Sequence, residues 1–123
     1  KNSRIDILLE TANPNDGNIY VEVKNVHLMR TAGKLEFPDS VTARGAKHLS
    51  ELASMVNQGH RAVMLYLAQW PGASSVSIAS DIDPTYARAL TEAVDAGVEV
   101  LAVDTLVTAT AITPKGTLPF ILP

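Results

Sequence analysis

The sequence contains no cysteine. Disulfides and thiolate metal sites are excluded, and the composition suits a reducing cytoplasm, which is the expected location. Aromatic residues are scarce, 5% against 46% apolar residues overall, so the core must be mainly aliphatic. No run approaches the roughly 18 apolar residues of a membrane-crossing helix. Nor does any basic segment lead into an apolar run and a small-residue cleavage site, so no secretory signal is read here. Positive charge is also short: Lys and Arg number 10 against 13 Asp and Glu, a net charge of −3. A dedicated DNA binder usually carries a basic surplus. A nuclease site differs, because its own carboxylates count against the total and a bound cation reverses the local sign. An initial methionine is lacking too. The chain opens at Lys1 and is in strand pattern within a few residues, which reads as a fragment or processed product. Its 123 residues suffice for one domain with a real core and are too few for two ordinary ones.

What is present is organised around residues 3–24. Ser3 to Leu9 and Ile19 to Lys24 read as two strands, joined by Thr11-Ala12-Asn13-Pro14-Asn15-Asp16-Gly17-Asn18, a segment dense in turn formers. Alternation puts Ile5, Ile7 and Leu9 on one face with Val21 and Val23. Asp6, Glu22 and Lys24 take the other. A symmetric hairpin sets Asp6 opposite Glu22, with paired Cβ atoms about 5 Å apart. Two carboxylates at that separation can share one hard cation such as Mg²⁺. The Val23 carbonyl, between the two key side chains, would add a ligand. The competing reading is a solvated polar face of a half-exposed hairpin, and Val98-Glu99-Val100 repeats the same strand pattern without the lysine.

Further along, Asn25 to Leu28 reads as a continuation of the strand and Arg30 to Glu36 as a loop. A helix is expected from about Val41 to Asn57, capped by Asp39 or Ser40 and stopping before Gly59. Val41, Leu49, Leu52, Ala53 and Val56 form its buried stripe. Gly45 costs roughly 1 kcal/mol relative to alanine there, which points to a close backbone approach to the sheet or to a ligand. Ala62 to Ala68 is apolar without alternation, as in a central strand covered on both faces. Ala73 to Ser80 reads as a loop or weak edge strand. A second helix starts at Asp83-Pro84, buries Tyr86, Leu90, Ala93 and Val94, and stops at Gly97. Val98 to Val103 is another buried strand, and the tail has weak strand character at Leu106-Val107 and at Phe120-Ile121-Leu122, held to an edge by Pro114, Pro119 and Pro123. The order β-β-α-β-α-β gives an α/β fold: a mixed sheet, antiparallel hairpin at one side and parallel strands at the other, with helices covering the faces.

The run Phe37-Pro38-Asp39-Ser40-Val41-Thr42-Ala43-Arg44-Gly45-Ala46-Lys47-His48-Leu49-Ser50-Glu51-Leu52 resembles the signature of the sugar fermentation stimulation proteins. Agreement continues at Val21-Glu22-Val23-Lys24, Gln58 to Val63, Asp83-Pro84-x-Tyr86, Gly97 to Ala102 and Leu118 to Leu122, over essentially the whole chain. The resemblance implies a restriction-endonuclease-like domain of the PD-(D/E)xK class, here the C-terminal domain of a protein with an upstream OB-type barrel. It implies a bacterial DNA-binding protein, proposed to influence sugar metabolism genes. It maps Asp6 and Glu22 onto the metal-binding acids and Lys24 onto the catalytic lysine, with Ile5 where that class has proline.

Cleavage of a phosphodiester needs an activated water and relief of negative charge. Asp6, Glu22 and the Val23 carbonyl would hold Mg²⁺ or Mn²⁺, since an all-oxygen set disfavours zinc. Lys24 would orient the water or stabilise developing charge. Arg44, Lys47 and His48 share a helix side and would meet the DNA backbone, positioning it without reading sequence. Against that, Lys47 and Glu51 suit an ordinary i, i+4 pair, and His48 borders the apolar stripe. His27 and His60 read as surface or strand-end residues, and Trp70 as packing. Two readings remain open, a DNA-binding protein with a nuclease-like site and an active metal-dependent nuclease. Beside them stands a weaker third, a structural domain serving the upstream barrel. Homo-oligomerisation is left open, and no membrane is involved.

Overall fold

A computed structural model describes residues 6–10, 17–70, 72–107 and 112–123. In chain order the elements are β1 (Ile7–Glu10), β2 (Asn18–Val26), β3 (Leu28–Thr31), β4 (Lys34–Phe37), α1 (Ala43–Asn57), β5 (Arg61–Ala68), β6 (Ser75–Ile78), α2 (Pro84–Ala96), β7 (Glu99–Val107), β8 (Ile112–Leu118) and β9 (Phe120–Ile121). Two sheets result, one of five strands in the order β1-β2-β5-β7-β8 and one of four in the order β3-β4-β6-β9. In the larger sheet β1 and β8 run antiparallel to their neighbours, whereas β2, β5 and β7 are parallel. The mixed sheet, its antiparallel hairpin and the central place of β5 are as the sequence pattern led one to expect. Residues 1–5 and 11–16, with Ile5 and the hairpin turn, lie outside the described residues.

The second sheet was not anticipated. Residues 30–36 are not a loop. They belong to the β3–β4 hairpin, which turns at Ala32-Gly33, where Gly33 takes a φ of +80°. Leu35 is fully buried within it. Residues 73–80 likewise carry β6, which lies inside the second sheet, between β4 and β9. Its Val76 and Ile78 are buried. Short strands that alternate over only four residues resemble polar loops until a partner strand completes them.

α1 begins later than its periodicity suggests. The cap is Thr42, whose Oγ1 accepts from Gly45 N–H at 2.9 Å, rather than Asp39 or Ser40. Val41 lies outside the helix and is 74% exposed, so it leaves the buried stripe, and His48 joins Gly45, Leu49 and Leu52 there. The close approach at Gly45 is to the neighbouring helix: a Cβ there would sit 3.0 Å from the Tyr86 ring. α2 follows its sequence signals. Asp83 caps it by accepting from Tyr86 N–H at 3.0 Å, and Gly97 ends it at a φ of +111°.

Asp83 also accepts from Thr42 N–H at 2.8 Å, so one buried carboxylate joins the starts of both helices. The helices pack on the same face of the larger sheet, over Met64, Tyr66 and Ala68, and the second sheet closes the same core through Leu35, Val76, Ile78 and Phe120. Tyr66 and Tyr86 share a hydroxyl hydrogen bond of 2.5 Å inside it. Helices on both faces were expected. Among the described residues the opposite face, with Ile7, Leu9, Ile19, Val63, Leu65 and Leu101, carries no helix, and Ile7, Leu9 and Leu101 are 41%, 50% and 41% exposed.

Candidate metal and phosphate site

β2 runs between β1 and β5, and its alternation directs Tyr20, Glu22, Lys24 and Val26 toward the helices. Glu22 is 2% exposed. The register Ile7↔Val21, continued one residue, puts Asp6 across from Glu22. Asp6 sits in a bend just before β1, and its Oδ2 accepts from Val23 N–H at 2.8 Å. In a strand the N–H and C=O of one residue lie on the same edge, so the Val23 carbonyl faces the Asp6 side.

α1 brings the third component. Lys24 Nζ stands 3.4 Å from Glu22 Oε2 and 3.2 Å from His48 Nδ1, and His48 Nδ1 stands 3.0 Å from the same Glu22 oxygen. His48 is 5% exposed. It therefore faces Glu22 and Lys24 from within and cannot meet a duplex backbone at the surface, contrary to its assignment from helical spacing. Arg44 and Lys47 are exposed on the same helix. Helical spacing held the signal for His48, since it precedes Leu49 and stands four before Leu52. What spacing could not supply was the strand opposite.

The electrostatics are those of a crowded acid pair beside a base. Burial, and next the charge of Asp6, push the Glu22 carboxyl above the ordinary carboxylate range, with Lys24 opposing. Burial, and next Lys24, pull the His48 imidazole below its ordinary value. Glu22 Oε1 is buried and makes no hydrogen bond among the described residues. A buried carboxylate oxygen without a partner is costly unless a cation or a donor meets it. That oxygen, the Asp6 carboxylate and the Val23 carbonyl form a hard donor set that fits a divalent cation of the Mg²⁺ or Ca²⁺ type. Among the described residues no group of three or more His, Asp or Glu is arranged to hold an ion, so water or a phosphate would complete the coordination.

The other candidates sort away from the site. Glu99, of the Val98-Glu99-Val100 run that repeats the β2 pattern, pairs with Arg61 at 2.8 Å on the surface. His27 meets Asp39 at 3.3 Å on the exterior, and His60 Nδ1 accepts from Asn18 N–H at 3.0 Å before β5 begins. Both are surface or strand-end residues as expected. Trp70 is 48% exposed past the end of β5, so core packing does not account for it. Among the described residues no helix is long and apolar enough to cross a membrane.

The fold recurs among known proteins. A family model described as the sugar fermentation stimulation protein RE domain matches residues 1–111. A sugar fermentation stimulation protein homolog of Roseobacter denitrificans is 55% identical over 119 residues, covering 97% of this chain and 50% of its own length. One of Rhodospirillum centenum is 57% identical over 116 residues, covering 94% and 47%. Among solved structures, Pyrococcus furiosus SfsA in complex with Ca²⁺ superimposes with a TM-score of 0.85 at 32% identity, covering 97% of this chain and 50% of that one. The chain thus spans about half the length of the relatives it matches. Carrying the family's domain over nearly its whole length, on the restriction-endonuclease-like mixed sheet described above, this chain belongs to the sugar fermentation stimulation protein family.

Proposed function

We propose that this domain binds DNA without sequence preference and that its Asp6–Glu22–Lys24 site cleaves phosphodiester bonds with a divalent cation. The observation that carries the reading is the buried, unpartnered Glu22 Oε1, beside an Asp6 carboxylate anchored on Val23 N–H and a lysine within reach. A site meant only to hold a polyanion has no use for two carboxylates facing it. The Ca²⁺ in the related Pyrococcus furiosus structure supports a divalent cation here, and the oxygen donors make Mg²⁺ or Mn²⁺ the working choice.

When bound, such a cation neutralises a phosphoryl oxygen and acidifies a water. The protein's own residues do the rest. Glu22 and Asp6 hold and orient the cation from two strands. Lys24 keeps an ammonium at the site to meet charge developing on the phosphorane-like oxygens. Arg44 and Lys47, exposed in the first and second turns of α1, supply backbone contacts that set the duplex in place. Binding through such contacts weakens steeply with salt.

The test is nicking of supercoiled plasmid with Mg²⁺ or Mn²⁺, beside Glu22→Ala, Lys24→Ala and a chelator control. Cation-dependent nicking that is lost in both variants is expected. Nicking that survives both substitutions sinks the assignment. DNA binding without any cleavage would leave a DNA-binding protein that keeps a cation site, the reading under which control of sugar metabolism genes becomes its work.

A further inference from the structure

We propose that Trp70 is a stacking platform for an unpaired nucleobase, so that the DNA this domain engages carries a single-stranded nucleotide near the cation site. The inference rests on the DNA-binding reading above and deepens it by naming the form of the substrate.

Trp70 is the only tryptophan in the chain. It is 48% exposed and belongs neither to the core nor to the partly buried residues packed against it. Among the described residues no aromatic ring and no hydrogen-bond acceptor meets its indole. The backbone beneath it is nonetheless firmly held. Gln69 N–H donates to the Val26 carbonyl at 3.1 Å, and Gln69 Nε2 donates to Asn25 Oδ1 at 3.0 Å. On the other side Ala73 N–H donates to the Trp70 carbonyl at 3.3 Å. Ser74 donates through its N–H and its hydroxyl to the Gly33 carbonyl, at 2.7 and 2.9 Å. The segment is thus tied to β2 at one end and to the β3–β4 turn at the other. An aromatic ring mounted on a fixed backbone loses little freedom when a ligand lands on it.

Its position points to the occupant. β2 and β5 run parallel, with Lys24 level with Tyr66. Trp70 lies four residues beyond Tyr66, a span of about 13 Å at 3.3 Å per residue. That is roughly four stacked nucleotides of one strand at 3.4 Å each, so a strand held at the cation can reach the ring. Open sheets with parallel strands bind ligands beyond the carboxyl ends of those strands, which is where Trp70 stands. Its exposed neighbours Asn25, His27, Gly72 and Ser74 are polar or lack a side chain, unlike the apolar centre of a protein interface. Lys34, next to Gly33, is exposed and has no ion pair among the described residues, so it can meet a neighbouring phosphate. A base within a duplex hides its faces in the stack, whereas an unpaired base can offer one to an indole. Such stacking tolerates any sequence, because every base has a π-face.

A single tryptophan makes fluorescence a direct report on this position. With a chelator present, so that nothing is cut, a short oligothymidylate should quench Trp70 emission saturably. A blunt duplex of equal length should quench it far less. Anisotropy of labelled oligonucleotide should show Trp70→Ala weakening single-strand binding by roughly 5- to 150-fold. Trp70→Phe should retain most of that binding, and both variants should bind the duplex as the wild type does. Because the position is exposed, both should also melt with the wild type. Emission that stays constant while the oligonucleotide binds overturns the proposal, as does failure of the oligonucleotide to bind. Equal losses for oligonucleotide and duplex in Trp70→Ala overturn it too. Emission that shifts with protein concentration alone would make Trp70 a contact between copies and would also overturn it. The readout needs no cleavage. A wild type that never nicks plasmid removes the nuclease reading and leaves the platform, whereas duplex binding with a silent Trp70 removes the platform and leaves DNA binding.

Discussion

Glu22 is the residue whose environment is most at odds with its charge. Its carboxyl is raised above the ordinary value of 4.5 by burial first and by Asp6 second. An acid raised in this way keeps, when folded, a proton that the unfolded chain has already lost. Stability therefore falls as pH climbs from 4.5 through the raised folded value, and the loss is complete above it. Glu22→Gln removes the ionisable group, so the cation-free variant should lose that slope. The same substitution should abolish stabilisation by Mg²⁺ or Ca²⁺, which for the wild type is about 2.7 kcal/mol at one hundred times Kd. Thermal melts across pH, with and without cation, check both; a cation-induced shift that survives in Glu22→Gln would remove Glu22 from the ligand set. Tyr66 and Tyr86 present the converse case, two buried hydroxyls that satisfy each other at 2.5 Å. Burial lifts both phenols above their ordinary value, that of Tyr66 well above it, so neither ionises at working pH. Tyr66→Phe should cost about 1–3 kcal/mol by stranding its partner. Adding Tyr86→Phe should cost less than a second increment of that size, as denaturant melts of the single and double variants would show.

Among the elements, α1 has most to do with the site, because it delivers His48 to β2. Its placement depends on Gly45, where an added Cβ would meet Thr42 Cγ2 at 2.9 Å and the Tyr86 ring at 3.0 Å. Alanine is the better helix former by about 1 kcal/mol, yet neither neighbour is free to move. Thr42 is the cap of α1, and Tyr86 is fully buried and hydrogen-bonded. Gly45→Ala should therefore destabilise the protein by about 1–3 kcal/mol. Equal or greater stability in chemical denaturation would show that the helices can separate at no cost.

Among the described residues both helices lie on one side of the larger sheet. Met64 on the helix-covered face is fully buried, whereas Leu101 on the other face of the next strand is 41% exposed. A lysine at the two positions should separate the faces sharply. Met64→Lys buries a charge without a partner and should cost about 4 kcal/mol or more. Leu101→Lys should cost less than about 1 kcal/mol. Comparable losses in the two melts would mean that the second face is covered as well as the first.

Much of this was legible in one dimension. Strand alternation marked Asp6, Glu22 and Lys24 as one polar face, and the register Ile7↔Val21 follows from the symmetric closing of the hairpin. Asp83-Pro84 and Gly97 bounded α2 correctly because caps are set by local backbone geometry. The misreadings have a common cause. The β3–β4 hairpin and β6 are four-residue strands whose identity depends on partners far along the chain. Val41 fitted the helical period, but the helix starts at Thr42, where the Asp83 carboxylate takes the backbone N–H. Periodicity likewise shows that a residue faces inward and not what it faces: His48 belonged to the apolar side of its helix, and only the packing of α1 across β2 set it between Glu22 and Lys24. Local patterns thus fixed the strands of the larger sheet, the two ends of α2 and the shared face of the two acids and their lysine, because those depend on neighbours in the chain. The second sheet, the one-sided core and the placing of His48 depend on contacts between distant segments, and they exist only once the chain has packed.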